Sequence, residues 1–178
     1  MARTIPDHLE AGLIILFIGY NPSLRSAETG HHYANPSNRF WKALHLSGLT
    51  PRLYRPEEDQ DLLELGYGFT NIVDRSTKSA DEITREEYAK GREMLRHKLK
   101  QFKPSIACFV GKGVYEAYAG RRRVEWGPQP LSEVPGIIDF VAPSTSGLVR
   151  MSLQNLAEIF SRLRDLRDRV SQKPRKGL

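Results

Sequence analysis

The residues best equipped for chemistry stand in two short stretches. The first runs from Phe17 to Leu44, FIGYNPSLRSAETGHHYANPSNRFWKAL. Asn21 comes directly off an apolar run. An asparagine amide offers one acceptor oxygen and two donor hydrogens and takes no proton near neutrality, so it can hold a water or read a base edge. It can also do no more than cap its own loop through local backbone bonds. Tyr33, within HHYANP, offers a ring that can stack on a flat ligand or cover a corner of a core. Histidine is the side chain that titrates near neutral pH. No cysteine or neighbouring carboxylate pair gives His31 and His32 ligand spacing, so they read as surface histidines and no metal is expected. The second stretch is APSTSGLVRMS, Ala142 to Ser152. Leu148 lies there between small residues and just before Arg150. An apolar side chain so presented can push between stacked bases, or it can tuck into the core at the start of a helix.

Such residues act only if something rigid holds them. Four segments read as strands: Leu13–Gly19, Gly66–Val73, Ser105–Gly111 and Gly136–Ser144. The first and third are continuously apolar, as strands covered on both faces must be. Helices fall between and after them. Ser37–Leu46 carries Phe40, Trp41 and Leu44 at helical spacing. Thr84–Phe102 opens with the Thr84–Glu87 spacing of a capping box. A short helix follows Gly113, and a last helix starts near Ser152. This alternation predicts an α/β fold, a three-layer αβα sandwich around a mostly parallel sheet of about four strands. Sites in such sheets lie at the carboxyl ends of the strands. Both chemical stretches begin there, and the first is far longer than the usual 2–6 residues of a strand-to-helix loop. The GKG at Gly111–Gly113 has neither the length nor the Ser/Thr of a phosphate-cradling loop.

Composition narrows the partners. The chain has 178 residues, 39% hydrophobic and 27% charged, which suits one soluble domain over residues 1–178. The net charge of +6 is compatible with a polyanion. Part of it sits in a basic tail, Ser171 to Leu178. The longest apolar run, Leu13–Ile18, is too short to span a bilayer, and the N-terminus lacks signal-peptide architecture. With one cysteine and no such segments, a cytoplasmic protein is expected, with no membrane partner.

Taken together the stretches resemble the mismatch-specific uracil-DNA and thymine-DNA glycosylases. That family's first motif reads Gly-Ile-Asn-Pro-Gly, then Ser-Ala, a glycine, an aromatic, a proline and Asn-Arg-Phe-Trp. Here Gly19-Tyr20-Asn21-Pro22-Ser23, Ser26-Ala27, Gly30, Tyr33, Pro36 and Asn38-Arg39-Phe40-Trp41 follow in that order. The family's second motif, Asn-Pro-Ser-Gly-Leu-Ser-Arg in bacterial members, is similar to Ser144-Thr145-Ser146-Gly147-Leu148-Val149-Arg150. The segments TNIVDRSTKSADEIT and FVGKGVYEAY are similar to two further family segments, so the resemblance spans roughly Leu13 to Leu163.

The resemblance implies a cofactor-free glycosylase, monomeric and nucleoid-associated, that flips a uracil or mismatched pyrimidine from double-stranded DNA with G·U or G·T pairs. It hydrolyses the N-glycosidic bond and leaves an abasic site for base excision repair. Asn21 matches the residue that positions the attacking water. Gly19, Tyr20, Ser23, Tyr33 and Asn71 would form the base pocket. Ser146, Gly147, Leu148 and Arg150 would fill the gap and contact the orphaned strand, with Gly147 letting the backbone approach the duplex. The alternative is a non-catalytic mismatch- or lesion-binding protein. The chain departs from the family at three places. Ser23 replaces glycine, and its Cβ is expected to narrow the pocket or to change the backbone. Ser144-Thr145 replaces Asn-Pro, which predicts a more mobile wedge loop. Asn71 stands where the bacterial mismatch enzyme has lysine.

Overall fold

The computed structural model describes residues 4–172. Of the basic tail, Ser171 and Gln172 still belong to the last helix, and Lys173 onward lies outside the described residues. Four parallel strands form the centre: β1 (Ile15–Gly19), β2 (Tyr67–Asn71), β3 (Ile106–Val110) and β5 (Ile138–Ala142). A two-residue strand, β4 (Gly127–Pro128), joins β5 antiparallel, giving the order β2-β1-β3-β5-β4. The sheet thus has five strands, one more than the sequence pattern predicts. Two residues leave no periodicity to read, and proline is tolerated there because β4 is an edge.

The apolar strands are explained by the two layers that cover them. Ile15, Phe17, Ile106, Cys108 and Phe140 face a core shared with α2 (Phe40–Leu46) and α5 (Leu153–Gln172). Leu16, Ile18, Ala107, Phe109 and Val141 face the opposite core, shared with α3 (Arg85–Phe102) and α4 (Lys112–Ala119). Successive residues point to opposite faces, so a strand with a core on each side is apolar at every position.

The long loop after β1 contains a six-residue helix, α1 (Leu24–Thr29), which has no apolar stripe to reveal it. A 3-10 helix over Pro56–Leu65 leads into β2. Helix α2 starts at Phe40, later than the expected Ser37, because the Asn38 side chain takes the Phe40 N–H at 3.0 Å. The N-terminal segment reaches back to the sheet, where His8 and Phe69 exchange two backbone hydrogen bonds on the free side of β2.

Candidate active site

The carboxyl ends of the parallel strands open into a cleft of about 600 Å³. It is lined from both chemical stretches, including Gly19, Asn21, Ser23, Tyr33, Ser146, Gly147 and Leu148, and by Asn71 and Thr77. The topology therefore brings together residues more than a hundred positions apart.

Asn21 is held by a segment that follows β2. Its Nδ2 donates to the Arg75 carbonyl at 2.8 Å and to Thr77 Oγ1 at 2.7 Å. A backbone carbonyl only accepts, and the Thr77 hydroxyl spends its hydrogen on the Ser79 carbonyl at 2.7 Å. The amide can therefore sit only one way round. Both hydrogens are committed, and Oδ1 is left as an acceptor. Asn21 caps no local turn. The segment that grips it is anchored in turn: Arg75 pairs with Glu87 at 2.6 and 3.1 Å, and Glu87 also closes the capping box of α3 with Thr84. Arg75 with its carbonyl, Thr77 and Glu87 are positioning residues that the sequence reading missed, since nothing local links them to Asn21.

Gly19 is paired with Asn71 across β1 and β2, at the bottom of the cleft. A Cβ on Gly19 would stand 2.7 Å from Asn71 Oδ1 and 3.2 Å from the Tyr33 hydroxyl, so only glycine lets these two side chains converge over it. The Asn71 amide has no hydrogen-bond partner among the described residues. Tyr33 stacks on Phe40, with centroids 3.9 Å apart and planes at 11°. One ring face is thus taken by the core, and Tyr33 still lines the cleft. Its hydroxyl is buried without a partner, and burial pushes its pKa up. Tyr33 also holds a positive φ of 52°, which turns the chain sharply between HH and ANP.

Tyr20 and Ser23 are engaged elsewhere. Tyr20 lines the cleft, but its ring packs over Gly111 and its hydroxyl lies against Gly113 at the start of α4, and burial, first of all, raises its pKa. This explains the GKG: a Cβ on either glycine would collide with that ring. Ser23 caps α1, accepting the Ser26 N–H at 3.0 Å and meeting the Ser26 hydroxyl at 3.1 Å. The hydroxyl that replaces the family's glycine is thereby turned to its own helix, although Ser23 remains in the cleft wall. Lys78 also reaches the cleft and is exposed.

The wedge stretch is not loosely held. Thr145 is 1% exposed, its hydroxyl donates to Asn38 Oδ1 at 2.8 Å, and its carbonyl accepts the Arg39 N–H at 2.9 Å. The Arg39 guanidinium gathers three carbonyls, those of Ser146 (3.2 Å), Val149 (2.9 Å) and Met151. Where Ser144-Thr145 replaces Asn-Pro, the stretch is thus tied to the start of α2 by these bonds. Gly147 has a nearer constraint than DNA, since a Cβ would come within 2.8 Å of Ser37. Leu148 is 92% exposed, which removes its reading as a core contact. Arg150 is exposed beside it. In the sequence Arg39 stood within the Asn38-Arg39-Phe40-Trp41 match, with no sign that it holds a loop more than a hundred residues away.

The histidines are the clearest correction. His32 is 2% exposed, not a surface residue; burial, first of all, lowers its pKa to about 4. His31 is partly exposed and stands 3.1 Å from Asp59.

A parallel αβα sandwich with an amide fixed at a strand end, beneath an exposed apolar residue on a clamped loop, defines a protein built around one cleft at the sheet's carboxyl edge. Residues 6–167 match the family model of the uracil DNA glycosylase superfamily. The chain belongs to that superfamily, and is a DNA glycosylase hydrolysing an N-glycosyl bond. Its fold is similar to the solution NMR structure of a candidate uracil DNA glycosylase from Methanosarcina acetivorans. The TM-score is 0.59 and the identity 23%, over 92% of this chain and 98% of that one. No helix among the described residues is long and apolar enough to cross a membrane.

Proposed function

We propose that the protein is a monofunctional glycosylase of the mismatch type. It flips a uracil, or a mismatched or damaged pyrimidine, out of duplex DNA and leaves an abasic site without cutting the strand. The observation that carries this reading is the one-way orientation of the Asn21 amide, which leaves Oδ1 as an acceptor for water. Flipping costs a few kcal/mol, least at a mismatch, which favours G·U and G·T pairs. Gly19, Tyr33 and Asn71 receive the base; the Asn71 amide can meet the donor and acceptor of a pyrimidine edge. The second face of the Tyr33 ring supplies a stack. Leu148 enters the vacated stack, and Arg150 grips the backbone or the orphaned strand. As the glycosidic bond breaks, the sugar gains oxocarbenium character and the base gathers negative charge. Backbone N–H groups of the Tyr20–Ser23 turn oppose that charge. Water held on Asn21 Oδ1 then attacks the oxocarbenium carbon, and the proton it sheds passes to the departed pyrimidine anion. Lys78 is exposed, whereas an amine nucleophile needs a desolvated or cationic setting to lose its proton.

The test is single-turnover excision on duplexes with G·U, G·T and A·U pairs, read after hot alkali. The wild type should break the uracil or thymine strand only after alkali. Asn21→Ala should lose on the order of a hundredfold or more in rate while binding DNA normally. Near-wild-type rates in Asn21→Ala sink the assignment of Asn21. Tight mismatch binding with no excision on any duplex would favour the non-catalytic alternative. A covalent adduct trapped by borohydride would make Lys78 a nucleophile and refute the monofunctional mechanism.

A further inference from the structure

Behind the cleft, three segments meet at a buried group of ligating side chains: His8 from the N-terminal segment, His32 from the long loop and Asp59 from the 3-10 helix. One donor atom from each lies within 4.8 Å of the others. His8 is 8% exposed and its Nδ1 is buried with no partner. The His32 ring meets the Pro6 carbonyl through Nε2 at 2.9 Å. Because a carbonyl only accepts, Nε2 carries the hydrogen and Nδ1 carries the lone pair. A ring hydrogen donated to a backbone carbonyl is the support that metal-bound histidines commonly have. Asp59 is 2% exposed and pairs with no lysine or arginine among the described residues. Its Oδ2 accepts the His32 N–H at 2.8 Å, and its Oδ1 faces His31 Nδ1 at 3.1 Å. A buried carboxylate needs a cation or a metal to offset its desolvation.

We propose that His8, His32 and Asp59, with His31 as fourth donor, form a closed zinc site that ties the N-terminal segment and the 3-10 helix to the loop carrying Tyr33. Imidazole and carboxylate are the donors zinc accepts at about 2.0–2.2 Å, and four protein ligands make a structural site with no open position. Donors of a tetrahedral site then stand about 3.3 Å apart. The His8, His32 and Asp59 donors must therefore close by up to about 1.5 Å, within reach of rotation about their χ angles, and His31 must turn its Nδ1 from Asp59 Oδ1 toward the ion. The site is independent of the excision reading. The bond from Oδ1 to His31 is the competing arrangement, in which a protonated His31 replaces the metal.

The experiment uses full-length protein stripped with a chelator, titrated with Co²⁺ and then Zn²⁺. One equivalent of Co²⁺ should give the intense visible bands of a four-coordinate ion, and Zn²⁺ should abolish them. Zn²⁺ at about a hundredfold over its Kd should raise the Tm by about 5–10 °C. His8→Gln and Asp59→Asn should each remove both responses, while His97→Gln, outside the cluster, should keep them. No stoichiometric binding by the wild type overturns the proposal, as does a six-coordinate spectrum. Binding unchanged in Asp59→Asn overturns it too, even if His8→Gln does not fold.

Discussion

Tyr33 has two jobs in one ring, and they separate by substitution. Its stack on Phe40 belongs to the core, while its hydroxyl is a buried group with no partner. Tyr33→Phe removes only the orphan and should keep both Tm and excision rate. Tyr33→Ala should cost about 3 kcal/mol of stability as well as the base stack. Thermal melts and single-turnover rates check this; a Phe variant as impaired as the Ala variant would make the hydroxyl the active part. Leu148 is the converse case. With 92% of it exposed, Leu148→Ala should change stability by about 0.5 kcal/mol or less. It should slow excision most on well-paired A·U duplexes, where re-stacking competes hardest, and an equal slowing on every substrate would reject the wedge. At this scale the sequence was informative where a residue's surroundings are local. Asn21 stood out because it comes directly off an apolar strand, and Leu148 because it lies between small residues and just before Arg150. His32 and Asp59 did not, because the contact that buries them joins segments 27 residues apart.

Among the elements, the turn into α2 governs the loop that carries Leu148. Asn38 and Arg39 hold Thr145, Ser146, Val149 and Met151, so the helix start fixes a loop more than a hundred residues away. Arg39→Lys should not rescue this, because one ammonium cannot reach three carbonyls as a planar fork does. The expected result is faster amide exchange at residues 146–151 and roughly tenfold slower excision, with the sheet's exchange unchanged; unaltered exchange would mean that Thr145 alone suffices. Strands β1 and β3 and the helices beside the sheet were legible because two-sided burial writes an unbroken apolar run and one-sided burial writes a helical stripe, while β2 and β5 showed as shorter apolar segments. Helix α1, β4 and the 3-10 helix were not. The first two are too short for a period, and the third carries PEEDQD, which reads as a solvated loop.

In the molecule as a whole, stability should depend on a carboxyl far from the cleft. Asp139 on β5 is 1% exposed, and burial, first of all, raises its pKa to about 6. The Glu133 N–H, the Tyr115 hydroxyl and Arg121 ease the charge, while the Glu133 carboxylate opposes it. A raised acid pKa in the folded state favours the protonated form. Its contribution is complete below about pH 4 and is lost as pH rises through about 6. Stability should fall over that window by about 2–3 kcal/mol, and Asp139→Asn should remove this component. Urea unfolding at steps of pH checks it; a slope retained in the variant would assign the titration elsewhere. The sheet has a second whole-molecule property. On one side its last strand is two residues long and ends in Pro128, which offers no N–H; on the other, the pairing of His8 with Phe69 takes the middle residue of β2. Each rim thus leaves a neighbouring chain a shortened ladder to extend. The N-terminal segment is therefore a guard against self-association. Removing residues 1–10, which takes Ile5 from the cleft wall and His8 from the buried cluster, should yield a protein that aggregates through bare β2, an outcome that light scattering would register.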